Sequence, residues 1–206
     1  MPMFPLGSVL LPSMVLPLHI FEPRYRALIR DVLDGGGEFG VCLISRGHEV
    51  GGDDVRTDVG TVARVHEASE LPDGRWAVVA VGERRIRIER WLDDDPYPRA
   101  EVVDHPDPLP GLDELDRLPA VVALLRTVLA RAAEAGDAVA PATAELSEDP
   151  VLASHQAVVL APIATIDRHA LLAAETVGMR LARLEDLLTD ALELLDLRLG
   201  SDPPAG

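Results

Sequence analysis

Lysine is missing from this 206-residue chain, and all 19 of its basic residues are arginine. A P-loop nucleotide site needs a lysine on the phosphates. A Ser–Lys nucleophile needs one as its base. The sequence can hold neither. Cysteine occurs once, as Cys42. An intrachain disulfide is therefore excluded, and the setting Gly40-Val41-Cys42-Leu43-Ile44 reads as a small buried hydrophobe, not a nucleophile. Aromatic residues make up 3% of a chain that is 48% hydrophobic. The core must then be built mainly of Leu, Val and Ala. No run of about 18 uncharged apolar residues exists, so no membrane span is expected. Residues 119–133 come nearest and are cut by Arg126 and Arg131. The first 20 residues lack a basic start and carry Pro2, Pro5, Pro12 and Pro17, which argues against a secretory signal. These features fit a reducing cytoplasm.

Positive charge is scarce as well. The formal net charge is −16; residues 1–104 hold 12 Arg and 18 acids, and residues 105–206 hold 7 Arg and 17 acids. Neither half offers the basic footprint of phosphate binding, so nucleic acid is not an expected partner. Arg84, Arg85, Arg87 and Arg90 form the one basic patch, with Glu83, Glu89 and residues 93–95 as its expected neutralisers. His19, His48, His66, His105, His155 and His169 show no H-x-x-x-H or H-E-x-x-H spacing, so no metal or other cofactor is expected. No serine sits in a G-x-S-x-G elbow. Gly35-Gly36-Gly37 follows a helix instead of a strand and lacks the dinucleotide register. The run Asp93-Asp94-Asp95 reads as an exposed acidic turn. No catalytic residue can be named, and a non-enzyme is expected.

What is present changes period part-way along. Residues 15–21 read as a strand, with Pro17 suiting a sheet edge. Pro23 opens a short helix over 24–33, with Tyr25, Leu28, Ile29 and Val32 at helical spacing, ended by three glycines. Strands follow at 39–45, 60–69, 75–81, 84–92 and 97–103. Residues 46–58 read as a polar loop, and Leu71-Pro72-Asp73-Gly74 as a tight turn. Pro106, Pro108 and Pro110 make residues 105–112 a stiff boundary between an N-terminal part, 1–104, and a helical part, 113–200. Beyond it a period near 3.6 predicts about four helices. One runs from Leu118 to near Gly136. One starts at Ser147-Glu148-Asp149-Pro150 and stops before Pro162. A short one is capped by Asp167, and a long one by Thr176, with Leu181, Leu184, Leu188, Leu192, Leu195 and Leu199 on one stripe. Its polar face is acidic (Glu185, Asp186, Asp190, Glu193, Asp196), which disfavours an anionic membrane. Residues 135–144 read as a linker and 201–206 as a disordered tail.

Several of these segments together resemble the N-terminal, substrate-handling domain of Lon-type ATP-dependent proteases. The resemblance is carried by Phe4-Pro5-Leu6, by residues 15–28 with Phe21-Glu22-Pro23-Arg24-Tyr25-Arg26 at their centre, by Phe39-Gly40-Val41, by residues 58–65, by residues 71–75, by residues 81–88 and by Asp95-Pro96-Tyr97, in the family's order. It implies an α+β fold: a PUA-like β pseudo-barrel with one short helix, followed by a helical bundle. Many relatives carry Phe at Leu11 and Gly at Ser13. If that glycine supplies a positive φ, Ser13 is expected to need another local backbone path. The helical half resembles the family less sharply, and a free-standing substrate-binding-domain protein is expected.

The resemblance further implies non-covalent binding of peptides or partly unfolded protein, with delivery to a protease or chaperone, or service as an adaptor with one defined partner. Because PUA-like folds also serve RNA recognition, an RNA-binding module is the competing reading, and the charge opposes it. The candidate binding surface is the apolar, proline-broken stretch from Val9 to Leu18, chiefly Val9, Leu10, Leu11, Met14 and Val15, with the face of Tyr25. His19, Glu22 and Arg24 are candidates either for a polar site or for a structural corner. The alternative for the apolar stretch is that it closes one end of the barrel.

Overall fold

Prolines fix the margins of the sheet. In the computed structural model, which describes residues 1–46 and 55–201, Pro5 lies in strand β1 (Met3–Leu6) and Pro17 in β2 (Val15–Ile20). Each of these strands has one laddered neighbour: β1 runs parallel to β3 (Glu38–Arg46), and β2 runs antiparallel to β5 (Trp76–Leu92). The path across the sheet is β1-β3-β4-β5-β2, with β4 spanning Val55–Glu70 and β6 (Arg99–Asp104) pairing a different stretch of β5. Thus β5 serves β2 with residues 76–81 and β6 with residues 86–92.

Two strands are expected at 75–81 and 84–92, whereas one strand of 17 residues is found. The break is instead a bulge: Ala63 faces Gly82 and Val62 faces Arg84, leaving Glu83 as the extra residue. A bulge adds twist without ending a strand. At this bend Gly82 is required by contact, because a Cβ there would collide with the Leu11 carbonyl oxygen. The turn 71–74 forms as its sequence predicts, with Gly74 at φ 78° and its N–H on Leu71 O at 2.8 Å.

The pseudo-barrel is not closed by a ladder. A single antiparallel bridge, Pro2 to Arg99, ties the start of β1 to β6, supported by Met3 N–H to Pro98 O at 2.8 Å. Helix α1 (Pro23–Asp34) buries Tyr25, Leu28, Ile29 and Val32 in the cluster that holds Phe4, Leu6, Leu16, Ile20 and Phe39. A smaller cluster holds Met3, Cys42, Val62, Ile86 and Ala100. Strands β3 and β4 extend into the expected loop 46–58 at both ends; the rest of that loop, with His48, lies outside the described residues, as does the tail 202–206.

The chain divides into two compact units, 1–106 and 107–206. The second contains α2 (Leu112–Glu134), α3 (Pro150–Leu160), α4 (Thr165–Leu172) and α5 (Val177–Ser201). Helix α2 begins six residues before the expected Leu118 and takes Pro119 into its interior. An interior proline loses one helical hydrogen bond. Tertiary contacts hold the first turn in place: Glu114 accepts from Gly111 N–H at 2.9 Å, and from Thr176 Oγ1 at 2.8 Å and Gly178 N–H at 3.0 Å. These donors, the Thr176 hydroxyl foremost, hold the Glu114 carboxyl below the usual carboxylate range. Helix α3 is capped by Asp149, not Ser147; Asp149 accepts from Leu152 N–H at 2.8 Å, while Ser147 Oγ accepts from Asp149 N–H. Asp167 lies in the first turn of α4, not at its cap, which is Ala164. Thr176 caps α5 as expected, accepting from Met179 N–H at 3.1 Å. Leu181, Leu184, Leu188 and Leu195 of the predicted stripe are buried.

Candidate functional site

The first loop does not present the surface expected of it. Val9, Leu10 and Leu11 are buried, Leu11 completely. Three hydrogen bonds fix the loop: Thr61 Oγ1 donates to Leu10 O at 2.7 Å, Ser13 N–H to Gly82 O at 2.7 Å, and Gly82 N–H to Met14 O at 3.0 Å. These side chains are part of the buried core. Met14 is partly buried against the same core, and Val15 is 57% exposed. Nor does Ser13 find another path. It adopts φ 66° itself, a left-handed conformation that glycine takes at least cost.

Apolar exposure lies one strand further on, at the strand-to-helix corner. A cleft of about 230 Å³ is lined by Phe4 and Leu6 of β1, by residues 17–22, and by Tyr25. It therefore lies between β1 and β2, the two ends of the path across the sheet, which share no ladder with each other. Burial alternates along β2: Leu16 and Ile20 point into the core, and Val15, Pro17 and His19 outward. Phe21, just past the strand end, is 56% exposed, which is unusual for a phenylalanine in a chain with so few aromatics.

Behind the cleft the aromatic rings are stacked. Phe4 and Tyr25 lie with centroids 4.2 Å apart and an interplanar angle of 20°. The Arg24 guanidinium sits 4.5 Å from the Tyr25 centroid and donates through Nε to Glu22 Oε2 at 3.1 Å. Glu22 and Arg24 thus pair with each other at the strand-to-helix corner, which leaves the cleft rim electrically balanced. Of the sequence candidates, Tyr25, His19 and Glu22 line the cleft; Val9, Leu10 and Leu11 do not. Leu18 closes the stretch 9–18 expected to form the surface, whereas Phe4, Leu6 and Phe21 lie outside every sequence candidate. An exposed Phe immediately before a helix-opening Glu-Pro was the available signal for Phe21. The contributions of Phe4 and Leu6 depend on pairing between residues some 40 apart and left no local trace.

The basic patch is neutralised by the expected Glu83 together with acids not anticipated, Glu38, Asp104 and Glu101. Arg84 meets Glu38 at 2.9 Å, Asp104 at 3.1 Å and Glu83 at 3.7 Å; Arg64 bridges Glu83 and Glu38; and Arg90 pairs with Glu101 at 2.6 Å. Arg84 chiefly, by its hydrogen bond, holds the Glu38 carboxyl below its ordinary value. Arg85 is buried, and Arg87 approaches His105 Nε2 at 3.3 Å. Among the described residues no group of three or more His, Cys, Asp or Glu is placed to hold a metal ion. No described helix is long and apolar enough to cross a membrane.

Comparison with known proteins gives the family and the fold. The family model of the ATP-dependent protease La (LON) substrate-binding domain matches residues 1–190. The chain belongs to the Lon substrate-binding domain family. Lon protease 1 of Herpetosiphon aurantiacus is 28% identical over 201 residues, and Lon protease of Flavobacterium johnsoniae 32% over 106 residues. The first alignment covers 93% of this chain and 24% of that protease, so the chain spans about a quarter of the length of such relatives. Among solved structures, the Lon N-terminal domain protein of Xanthomonas campestris superposes with a TM-score of 0.62 at 29% identity, covering 89% of this chain and 95% of that one. The N-terminal domain of a Mycobacterium avium complex Lon protease gives 0.69 at 20% identity, covering 92% and 97%, and bears on the fold alone. The part matched is the substrate-binding region, not the ATPase or the peptidase.

Proposed function

We propose that this protein binds extended apolar segments of unfolded protein, non-covalently and with no chemistry of its own, in the cleft between β1, β2 and the start of α1. The observation that carries the reading is the coincidence, at the break in the sheet, of an apolar cleft with the exposed ring of Phe21. The family's substrate-binding description supports it. The absence of lysine supports the lack of ATPase and Ser–Lys peptidase chemistry. The lone cysteine suits a reducing cytoplasm, where a protease or chaperone would receive the bound client.

The cleft is smaller than the roughly 300–1,000 Å³ of small-molecule pockets. It takes one large side chain, whose burial yields about 1.5–3 kcal/mol. A single client segment should therefore bind weakly, since ordering a disordered chain opposes binding. The test is fluorescence anisotropy with labelled, permanently unfolded casein. Phe21→Ser should weaken binding at least about fivefold while leaving the melting temperature in place, because an exposed side chain contributes little to stability. Unchanged affinity in this variant, or no binding by the parent protein, refutes the proposal.

A further inference from the structure

The hydrogen-bond parity of β2 shows which of its backbone groups are committed. Gly82 donates to Met14 O, and the register pairs Leu16 with Ala80, Pro17 with Val79 and Leu18 with Val78. In an antiparallel ladder, alternate residues exchange both bonds with the partner strand, and the residues between them turn both groups away. The Met14 carbonyl and both groups of Leu16, Leu18 and Ile20 therefore face β5, while the Met14 N–H donates to Leu11 O. Val15, Pro17 and His19 turn their backbone groups to the outer edge. Pro17 is tolerated because its missing N–H would have pointed away from β5. Among the described residues no hydrogen bond takes up these outward groups. The edge thus offers N–H and C=O at Val15, C=O at Pro17, and N–H and C=O at His19, beside a cleft lined by Leu18, Ile20 and Phe21.

Resting on the binding function proposed above, we infer that the client is held by strand addition: it pairs its backbone with the outer edge of β2, register set by Val15, Pro17 and His19, and drops one apolar side chain into the cleft. The occupant is an extended, apolar, non-acidic segment. Its extended backbone is what a row of unused strand groups recognises. Its charge preference follows from the surroundings. The carboxylate at the rim, Glu22, is paired with Arg24, while the chain as a whole carries −16. An acidic segment meets net repulsion there, and a segment flanked by arginine meets net attraction that salt screens. Pro17 adds a rule of its own. The client residue opposite it can donate to the Pro17 carbonyl but finds no N–H for its own carbonyl.

The experiment uses the whole chain and a labelled seven-residue apolar peptide with an aromatic centre and arginine at both ends. Two N-methylated versions are compared, each blocking alternate backbone N–H groups. A strand bound along one edge uses one alternate set only. One version should therefore lose about tenfold or more in affinity, equivalent to about 1.4 kcal/mol, while the other stays within about threefold. Equal affinities for both versions overturn strand addition even if the parent peptide binds and the binding function stands. Failure of the parent peptide to bind at millimolar concentration overturns both. On the protein side, His19→Pro removes an outward N–H at a position with no ladder bond to lose. It should weaken the peptide about tenfold more than His19→Ala does; equal effects count against the pairing. If the chain sediments as a dimer that peptide does not dissociate, the occupant of the edge is a second copy and the inference is wrong.

Discussion

Arg180 is wholly buried near the start of α5, and Asp107 is its counter-ion. The guanidinium donates to Asp107 Oδ1 at 2.6 Å, to Ser154 Oγ at 2.8 Å and to the Leu171 carbonyl at 3.1 Å. The second Asp107 oxygen lies 3.1 Å from His155 Nε2. Burial pushes the Arg180 pKa down, with Asp107 opposing that shift, so the pair is maintained against a real desolvation cost. Replacing Asp107 with Ala leaves a buried cation without its carboxylate. Removal of one partner from a buried pair costs about 3–5 kcal/mol. At a urea dependence of about 1–2 kcal/mol per molar for a unit of this size, the midpoint should fall by about 1.5–5 M. Both tryptophans, Trp76 and Trp91, lie in the first unit. Fluorescence therefore follows the first unit, while circular dichroism at the helix band is dominated by α2–α5 of the second, with α1 the lesser contributor. Adding Arg180→Met to the Asp107→Ala variant should recover part of the loss, since an apolar side chain needs no counter-ion. A helix transition displaced by less than about 1 kcal/mol would refute the assignment of Asp107 as an integral part of the helical unit. The same reasoning says that a fragment beginning at Asp107 should fold and one beginning at residue 113 should not.

Four further outcomes are expected. Leu11→Ser should cost about 3–5 kcal/mol in chemical denaturation, since it hollows the core and buries a hydroxyl; a change below about 1 kcal/mol would return this loop to the surface. Ser13→Gly should stabilise by about 1 kcal/mol, because the residue stands at φ 66°; destabilisation would show that the serine side chain makes up for its backbone. Tyr97 donates to Asp31 Oδ2 at 2.6 Å, and burial first, then Asp31, pushes its pKa up to about 12. The folded value lies above the ordinary 10.0, so stability is fully present below pH 10 and falls between about pH 10 and 12; with no lysine titrating there, Tyr97→Phe should flatten that decline in alkaline melts. Single-stranded RNA should show no micromolar binding at about 150 mM salt in a filter assay, and a steep salt slope would reverse that expectation.

Local signals read well where a local rule decides. The three glycines after α1, the 71–74 turn, the helix stop before Pro162 and the Thr176 cap all follow from one residue's backbone chemistry. Readings failed where a distant partner decides. Pro119 resembles a helix start until Glu114 reaches Thr176 and Gly178, 62 and 64 residues away. The apolar run 9–11 resembles an exposed loop until Thr61 and Gly82 fasten it over the core. Asp107 resembles a spacer residue between prolines until Arg180 is placed beside it. The cleft belongs to the second kind, because β1 reaches it through pairing with β3.

A sheet edge that stays open is a liability, since unpaired strand groups invite association with other chains. This edge is limited in ways consistent with use. It is six residues long, Pro17 removes one donor from its middle, and the surrounding charge opposes self-association. Had closure of the barrel been the aim, β2 and β1 would lie in one ladder and Phe21 would be covered. Instead α1 seals the core from within, burying Tyr25, Leu28, Ile29 and Val32, so the opening costs no solvent access to the interior. The stack of Arg24, Tyr25 and Phe4 supports the cleft from behind as a preformed wall. A rigid wall beside an unsatisfied strand edge lowers the ordering cost borne by the protein, leaving that cost to the client alone. On the proposed reading, affinity then depends on what the client can bury and pair, and this would let one shallow site discriminate an unfolded segment from a folded surface.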